Sequence, residues 1–591
     1  MGFWNIIIVL LAVLSFYLYQ SYVYRRPTYK HIDKLLDSYD YIIVGAGTAG
    51  CVLAARLSEN SSRTVLLLEA GPSDVSHAEV DTPARVPETF LSRFDWKLYS
   101  RPQEQAALGL EGQRIYIPRG KILGGSSQIN YMQWSRGHRL DFDRWAEQGS
   151  EGWSYRDVLP FFMRSEDVVP KHLANKEYRG SNGQVKITQL NGYGLATVFI
   201  NAVKSLGFQE TDYNAETQEG VAHTQSNIYK GERWSSARAY LWPVADRENL
   251  HIVTDTLVHK VLIEHKTAVG VRLIRNSSPA DPVDVRCSKE VILAAGSFGS
   301  PQVLMLSGVG PREHLESLKI PLVADLPVGE NLHDHVTTAL SVITNSSIGL
   351  PRTTLYHQLE YLTFGTGPLS SPGGTDGLAH LKTLPHLQQP DIQLTLVEQL
   401  MDMKFMKVMP GLATELLHSW RLQEQGQGFL VLVCLLRPKS RGTVRLRSSD
   451  PLDSPVIDPN FFSDPQDLDD LVRGVRLALK IVDTEPLRQL GAVIDPAPLP
   501  SCVSHLYNSD SYWNCFNRHL ASTAHHPAGT CKMGATDDVT TVVDNRLRVK
   551  GVRNLRVADA SIMPDVVSAN TNAATFMIGE KAADMILNDG K

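Results

Sequence analysis

Cysteine is scarce in this chain of 591 residues, and basic tracts are missing. The cysteines show no spacing typical of a metal site, so no metal is predicted. Lys and Arg number 58 against 63 Asp and Glu, which gives a formal net charge of −5. Without a basic run to neutralise phosphates, nucleic acid is excluded as a partner. Cys502 and Cys515 are close enough in sequence to form a bridge, but free thiols are expected.

Charge is also missing from the stretch between Ile6 and Tyr24, which begins with a strongly apolar run. About 20 such residues are needed to cross a bilayer. A cleaved signal peptide would have basic residues before the apolar run and small residues after it. Here the basic residues, Arg25 and Arg26, follow the run. We therefore expect a single-pass anchor within residues 1–30, with secretion after signal cleavage as the alternative.

Two patterns bear on the side of the membrane that the catalytic part occupies. Arginines directly after the span favour a cytosolic position by the positive-inside rule. N-glycosylation sequons would suit a lumenal position, although chance gives about as many in a chain of this length. The sequons are at Asn60, Asn276 and Asn345.

A glycine-rich turn follows the first apolar segment of the globular part. Residues 40–44 predict a buried strand, a helix extends through Leu57, and residues 64–68 predict a second strand. In such a unit the first glycine permits a tight turn, the second admits a pyrophosphate, and the third lets helix and strand pack closely. An acid after the second strand accepts from ribose hydroxyls. The unit predicts dinucleotide binding through Gly45, Gly47, Thr48, Ala49, Gly50 and Glu69.

Longer motifs farther along the chain resemble those of the glucose-methanol-choline (GMC) oxidoreductases. The two signature motifs of that family are similar to Gly120–Asn130 and Gly296–Gly310. The resemblance extends over roughly residues 38 to 589, and the motifs follow the family's order. Further similar runs are Pro327–His335, His525–Gly534, Val557–Ser561 and Glu580–Asp584.

The resemblance implies an α/β fold in which a Rossmann-like FAD-binding domain is interleaved with a substrate-binding domain built on an antiparallel sheet. The FAD-binding part is expected over residues 38–334, with a substrate-domain insertion near 150–225. A substrate-binding cap should follow over 335–524, with strands at Phe429–Leu436 and Thr443–Leu446 in its sheet. Residues 525–591 should return to the FAD domain and carry the catalytic side chains.

FAD is the cofactor that the resemblance implies. The sequence His251–Leu262 predicts a strand, and by resemblance its Val258 gives backbone contacts to the adenine. Relatives that bind FAD covalently have a histidine directly before the asparagine of the first signature; Ile129 stands there, so non-covalent FAD is expected. The remaining cofactor positions that the family implies are Leu123, Gly125, Asn130, Met132, Asp559, Ala560 and Asn570.

Catalysis in this family needs a base near the flavin, and His526 matches that position. An imidazole titrates near neutral pH, so it can take and return a proton. Asn572 matches the family's second active-site position, where its amide can orient the substrate oxygen. His525 ranks second as a base because it lacks the following proline. It also replaces the tyrosine typical of choline-oxidising members, which makes choline a less favoured substrate.

These features predict oxidation of a small-molecule alcohol to an aldehyde or ketone by hydride transfer to flavin N5. With a membrane anchor, the electrons would pass to a quinone or another non-nicotinamide acceptor. An oxygen-using alcohol oxidase, or a lyase or decarboxylase on the same fold, is the alternative. A non-catalytic binding module is disfavoured because His526 and Asn572 are both present.

Overall fold

The first sheet is built around the predicted dinucleotide unit. The computed structural model describes residues 26–30, 32, 34–190, 192–275, 282–400, 411–419 and 427–589, together with Ile7, Leu11 and Leu14. The sheet is mixed, and its strands run in the order Leu250–Val253, Val65–Leu68, Ser38–Val44, Val283–Leu293, Thr267–Arg275 and Thr256–Glu264, with Leu555–Val557 also paired to Val283–Leu293.

Parallel pairing in this sheet brings the carboxyl ends of its central strands to one edge. Ser38–Val44 is parallel to both Val65–Leu68 and Val283–Leu293, and Leu555–Val557 is parallel to the latter. The central strands are buried on both faces, as their continuous apolar sequences require. Ligands of open α/β sheets bind at this edge.

Two helices pack against each other beside the parallel strands. Thr48–Leu57 follows the glycine turn, and Thr571–Asp589 crosses it closely at Gly579, where a Cβ would lie 3.1 Å from Ala49 Cα. A buried ion pair between Arg56 and Glu580 (2.8 Å) fixes the crossing. The last helix thereby brings its first residues to the glycine turn.

The second sheet is antiparallel. Its strands run in the order Val493–Ile494, Val336–Thr344, Gln427–Leu435, Ile392–Val397, Gly377–Leu381 and Gly220–His223, with Ser522–Thr523 also paired to Val336–Thr344. Helix Pro465–Val482 covers one face of this sheet. The helix begins with Asp464 capping Gln466 N and a proline at the first position, and its apolar side packs on Ile392 and Val433.

Shorter elements connect the two sheets. The remaining helices are Ala78–Asp81, Val86–Thr89, Arg139–Glu147, Tyr155–Ser165, Leu195–Ser205, Gly296–Leu306, Arg312–Ser317, Leu355–Phe364, Thr414–Ser419, Glu485–Arg488 and Asp510–Leu520. Strand Val185–Gln189 pairs with both Glu166–Val168 and Gln225–Ser226. The other short strands form simple pairs: Leu98–Tyr99 with Tyr116–Ile117, Ile228–Tyr229 with Glu232–Arg233, Val309–Gly310 with Ala324–Asp325, and Thr443–Arg445 with Val456–Asp458.

The predicted mixed α/β architecture is confirmed, and three details differ. The expected strand His251–Leu262 is two strands, because the chain turns at Asp255 (φ 50°) to change from parallel to antiparallel pairing. Thr443–Arg445 pairs with Val456–Asp458 and does not join the antiparallel sheet. The expectation of free thiols at Cys502 and Cys515 is wrong, because the turn before helix Asp510–Leu520 brings them into a disulfide.

In the part of the chain that the structure describes, no helix combines the length and apolar character needed to cross a bilayer. The anchor predicted over residues 6–24 lies outside the described residues, apart from Ile7, Leu11 and Leu14.

Candidate active site

A cavity of about 1230 Å³ lies between the two sheets. Two of the predicted site residues lie outside its wall. Gly50 lets its helix pack closely against the glycine turn, since a Cβ there would lie 2.0 Å from Gly45 O. Leu123 lies in the hydrophobic core. The predicted residues that line the cavity are Gly45, Gly47, Thr48, Ala49, Glu69, Gly125, Asn130, Met132, Val258, His526, Asp559, Ala560, Asn570 and Asn572.

The cavity has a narrow glycine cradle at the carboxyl edge of the parallel strands. Gly45 has a φ of +96° and Gly125 a φ of +55°, which only glycine adopts without strain. A Cβ on Gly125 would lie 2.7 Å from Gly47 Cα, so the two backbones approach more closely than side chains allow. A flat cradle beside the start of helix Thr48–Leu57 fits a dinucleotide with its pyrophosphate at the helix N-terminus.

Glu69 lies at the end of the cradle, as predicted. Its Oε2 accepts from Ala46 N and its Oε1 from Gly71 N, each at 3.0 Å, which fixes the carboxyl group at the cavity wall. Burial raises the pKa of Glu69 to about 7. A carboxyl group so held retains lone pairs for ribose hydroxyls, and the residues present therefore fit FAD.

Asp559 ties the last parallel strand to the preceding glycine turn. Its Oδ2 accepts from Gly296 N (2.9 Å) and Ser300 Oγ (2.6 Å), and its Oδ1 from Ser561 N (2.8 Å). Helix Gly296–Leu306 begins before Ser300, so this serine serves Asp559 and does not cap the helix. The aspartate thus shapes the cavity wall by fixing the backbone at Gly296 and Ser561.

His526 has both ring nitrogens engaged. Asn570 Nδ2 lies 3.0 Å from His526 Nε2, and because an amide N–H can only donate, Nε2 is the accepting nitrogen. Nδ1 therefore carries the proton of the neutral ring and lies 3.0 Å from His335 Nδ1. The imidazole presents an unprotonated nitrogen at the cavity surface, which is the state of a base.

A buried carboxylate fixes the backbone around this histidine. Asp334 Oδ1 accepts a hydrogen bond from His526 N (2.8 Å), and Asp334 Oδ2 accepts one from Thr523 Oγ1. The Thr523 hydroxyl in turn accepts a hydrogen bond from His525 N (2.7 Å). Arg119 Nη2 donates to His525 O (2.7 Å). The strand end at Thr523 and the motif containing Asp334 therefore determine where the His526 ring lies.

The two asparagines near the last helix make different contacts. Asn570, expected to contact the flavin, bonds to His526, whereas Asn572 Oδ1 accepts from Thr48 Oγ1 at 2.9 Å. Among the described residues the buried Asn572 Nδ2 has no hydrogen-bond partner, and the residue lines the cavity. An amide held through its oxygen is available to donate to a ligand oxygen.

Burial controls the titration of this cluster. It lowers the pKa of His526 well below 6.5, and the nearby His335, His525 and Arg119 lower it further. Burial also lowers the pKa of His335 to about 4 and that of His525 to about 3. Burial raises the pKa of Asp334 to about 6. The imidazoles are therefore neutral at physiological pH.

One face of the antiparallel sheet forms the opposite wall of the cavity. Alternate residues of three neighbouring strands point to it, as the period of a strand requires. Their side chains are uncharged and combine hydroxyl, amide, thiol and aliphatic groups. They are Thr337, Ala339 and Ser341, then Gln393, Thr395 and Val397, then Leu430, Leu432 and Cys434.

Sequence reasoning missed three residues that shape the site. His335 and Asp334 lie in a motif that had been noted without a role, and their adjacency in the sequence was the available signal. Arg233 is buried and donates to Asn130 O and Oδ1, each at 2.8 Å, and to Ser127 O at 3.0 Å. No sequence pattern around Arg233 indicated that it holds the loop of the first signature.

Comparison with known families gives a consistent match over most of the chain. Residues 39–337 and 438–579 each match a family model described as GMC oxidoreductase. The chain is 38% identical over 558 residues to the glucose dehydrogenase (FAD, quinone) of Drosophila melanogaster, which covers 93% of this chain and 86% of that protein. It is 39% identical over 572 residues to the mitochondrial choline dehydrogenase of Homo sapiens, covering 93% and 90%.

Solved structures with the same fold are also similar in sequence. The pyridoxine 4-oxidase of Mesorbium loti has a TM-score of 0.78 at 28% identity, over 92% of this chain and 98% of that chain. A variant of the formate oxidase of Aspergillus oryzae RIB40 has a TM-score of 0.81 at 27% identity, over 94% and 98%.

Proposed function

The chain belongs to the GMC oxidoreductase family and is an FAD-dependent oxidoreductase acting on CH–OH donors, and from that premise we propose that it oxidises an uncharged alcohol to an aldehyde or ketone. The electrons pass to an acceptor other than a nicotinamide. The observation that carries the proposal is the buried His526, whose Nε2 accepts at the cavity surface while its other nitrogen is held by His335.

The cradle residues Gly47, Gly125 and Glu69 would hold the cofactor, with Asn130 and Val258 farther along the wall. When bound, FAD supplies the acceptor for the hydride that leaves the alcohol carbon. The cavity around it lies between two sheets, which cover the reacting carbon from two sides and limit the access of water to it.

His526 takes the hydroxyl proton of the alcohol at Nε2. The hydrogen bond that Asn570 Nδ2 donates to Nε2 is exchanged for a bond donated by the substrate hydroxyl. The positive charge that develops on the buried ring is stabilised by the bond from Nδ1 to the neutral His335. Asn572 Nδ2 donates to the oxygen on which negative charge develops, and Thr48 holds the amide in that orientation.

The uncharged wall of the antiparallel sheet favours a neutral substrate. A quaternary ammonium group is bound by carboxylates or by aromatic faces. The side chains that point from this wall, such as Thr337, Thr395 and Leu432, offer neither. His525, in place of the tyrosine of choline-oxidising members, leads to the same conclusion. The human relative's named substrate is therefore not the one we propose here.

The acceptor is proposed to be a quinone or similar carrier, as the name of the Drosophila relative indicates for that protein. Oxygen is the second candidate, because the pyridoxine and formate enzymes of the same fold are named oxidases. The two acceptors are distinguished by the reoxidation rate of the reduced enzyme in air against that with a soluble quinone.

We also propose that residues 6–24 attach the protein to a membrane and that the catalytic part faces an oxidising compartment. The Cys502–Cys515 disulfide supports this side, because such bonds persist where thiols are not kept reduced. The sequon residues Asn60 and Asn345 are exposed, which is compatible with the same side. This proposal replaces the cytosolic position that Arg25 and Arg26 favoured.

The function is tested by mixing the full, FAD-loaded chain without oxygen with aliphatic alcohols, a polyol, a sterol and choline. We expect uncharged alcohols to bleach the flavin and choline to be at least about ten-fold slower.

His526→Ala should slow reduction by about 10²- to 10⁴-fold with FAD content unchanged. His525→Ala, the matched control, should change the rate only a few-fold. The proposal fails if no alcohol bleaches the flavin, or if the two variants are reduced equally fast.

A further inference from the structure

Helix Leu355–Phe364 carries an apolar surface that is exposed. Leu355 is 71% exposed, Leu359 37% and Leu362 57%, and none of the helix's residues is buried by the described part of the chain. These three leucines are spaced at i, i+4 and i+7, so they form one stripe. Tyr356 (71%) lies beside the stripe, and Phe364 (74%) is exposed at the end of the helix. A contiguous apolar surface of this kind marks an interaction site.

The exposed side of the helix has no charge. Gln358 and Thr363 are its other exposed residues, while His357 and Glu360 are partly covered. Glu360 Oε1 accepts from Thr366 Oγ1 (3.0 Å), and Tyr361 Oη donates to Gly231 O (3.2 Å). The helix is thus held from behind by its polar side, with the leucine stripe directed outward.

The uncharged N-terminal sequence joins the fold beside this helix. Arg26, two residues after Tyr24, forms ion pairs with Asp81 (2.9 Å) and Glu232 (3.4 Å). Its side chain is only 3% exposed. Glu232 directly follows Gly231, the residue that holds Tyr361. Arg26, which follows the apolar sequence in the chain, therefore lies close to the helix that carries the leucine stripe.

An exposed part of the cavity wall lies nearby. The turn Pro368–Ser370, just after the helix, packs against the turn Pro83–Arg85. Ala84 in that turn lines the cavity, and so do Pro87 and Glu88, which are exposed. The helix with the leucine stripe, Arg26 and this exposed part of the cavity wall are consequently neighbours.

We infer that helix Leu355–Phe364 lies in the interface of a lipid bilayer, next to the point where residues 6–24 enter the same bilayer. An uncharged helix face with leucine and aromatic side chains partitions into the headgroup and acyl boundary. The opening at Pro87 and Glu88 then faces the membrane surface. A lipid-dissolved alcohol, on the function proposed above, reaches the cavity without crossing bulk water.

The docking itself is tested without any reaction. A spin label is attached at Leu362→Cys in the full chain, with a label at Val539→Cys, an 87% exposed loop residue, as the matched control. Signal from the native free cysteines is measured on the unsubstituted chain. With phosphatidylcholine vesicles, the Leu362 label should gain contact with dissolved oxygen and lose contact with a water-soluble nickel chelate, while the Val539 label keeps its contact with the chelate.

An unchanged Leu362 label on addition of vesicles overturns the inference. So does protection from the chelate before vesicles are added, because the stripe is then covered by the N-terminal segment or by a second copy of the chain. Dependence of that protection on protein concentration identifies the second copy.

The consequence for substrate access is tested with Leu355→Gln, Leu359→Gln and Leu362→Gln combined. We expect flavin reduction by decanol in phosphatidylcholine vesicles to fall about ten-fold, and reduction by water-soluble propanol to stay unchanged. Val503→Gln, Leu506→Gln and Val539→Gln, which also replace exposed apolar residues, should change neither rate. An equal fall for both alcohols contradicts the access route. If neither alcohol reduces any variant, the proposed function has failed while the spin-label result still stands.

Discussion

The charged and titratable groups that act on the His526 ring all disfavour its protonation. His335, His525 and Arg119 lower its pKa in addition to burial, and the nearby carboxylate of Asp334 is engaged with the His526 backbone N–H and Thr523. Such a base is available over a wide pH range, although each proton it takes is held weakly.

The pH dependence of kcat/KM follows from this environment. As pH falls through the lowered pKa, Nε2 takes a proton and can no longer accept one from the substrate. We therefore expect the acid limb of kcat/KM to lie well below pH 6.5, the ordinary value for histidine. Arg119→Met should move the limb to higher pH because it removes a positive charge, and Arg119→Lys should not. A limb at or above pH 6.5 in the unsubstituted enzyme would contradict the role of burial.

A single methyl group at Gly125 should weaken cofactor binding. Alanine there is strained by the φ of +55°, and its Cβ would lie 2.7 Å from Gly47 Cα in the cradle. We expect Gly125→Ala to lower FAD affinity by at least about ten-fold, because the added methyl group forces the two backbones of the cradle apart. Gly152→Ala is the control, because Gly152 has a φ of +81° and nothing within 4 Å of a Cβ. Equal FAD loss in both variants, measured by titration, would assign the effect to backbone strain.

At the scale of elements, the site is assembled by the first residues of helix Thr571–Asp589 and the loop before helix Thr48–Leu57. Their crossing at Gly579 brings Asn572 to Thr48 although the two are far apart in sequence. The antiparallel strand Val336–Thr344 supplies the third part, since His335 directly precedes it and Ser522–Thr523 pairs with it. Three elements therefore fix the contacts of His526 with His335 and Asn570.

The disulfide joins the turn Pro500–Cys502 to helix Asp510–Leu520 across a separation of 13 residues. By loop-closure entropy such a bond stabilises the fold by about 3 kcal/mol. We expect reductant to lower the thermal midpoint by about 2 °C in the native chain and to leave that of a Cys502→Ala, Cys515→Ala double variant unchanged. Denatured protein should show four reactive thiols before reduction and six after it. Six thiols before reduction would disprove the bond.

At the scale of the whole molecule, the disulfide and the exposed sequons lead to one expectation about its compartment. In a secretory-pathway host, Asn60 and Asn345 should carry N-glycans, because both are exposed in the fold. Glycosidase treatment should then increase the mobility of the chain on a gel, and Asn60→Gln with Asn345→Gln should reduce that shift. An unshifted chain in which Cys502 and Cys515 react as thiols would restore the cytosolic position.

The amino-acid sequence alone was sufficient to identify the dinucleotide unit, the family and 14 of the residues that line the cavity. Those features are local: a glycine turn between a strand and a helix dictates its own backbone, so Gly45, Gly47 and Glu69 were identifiable from spacing. Which side chains contact each other became known from the folded structure. In the structure His526 contacts Asn570 and His335, and Asn572 accepts a hydrogen bond from Thr48. Cys502 and Cys515 form a disulfide, and the leucines of helix Leu355–Phe364 are exposed. These contacts join residues far apart in the chain or depend on what packs around them, and spacing carries no information about either.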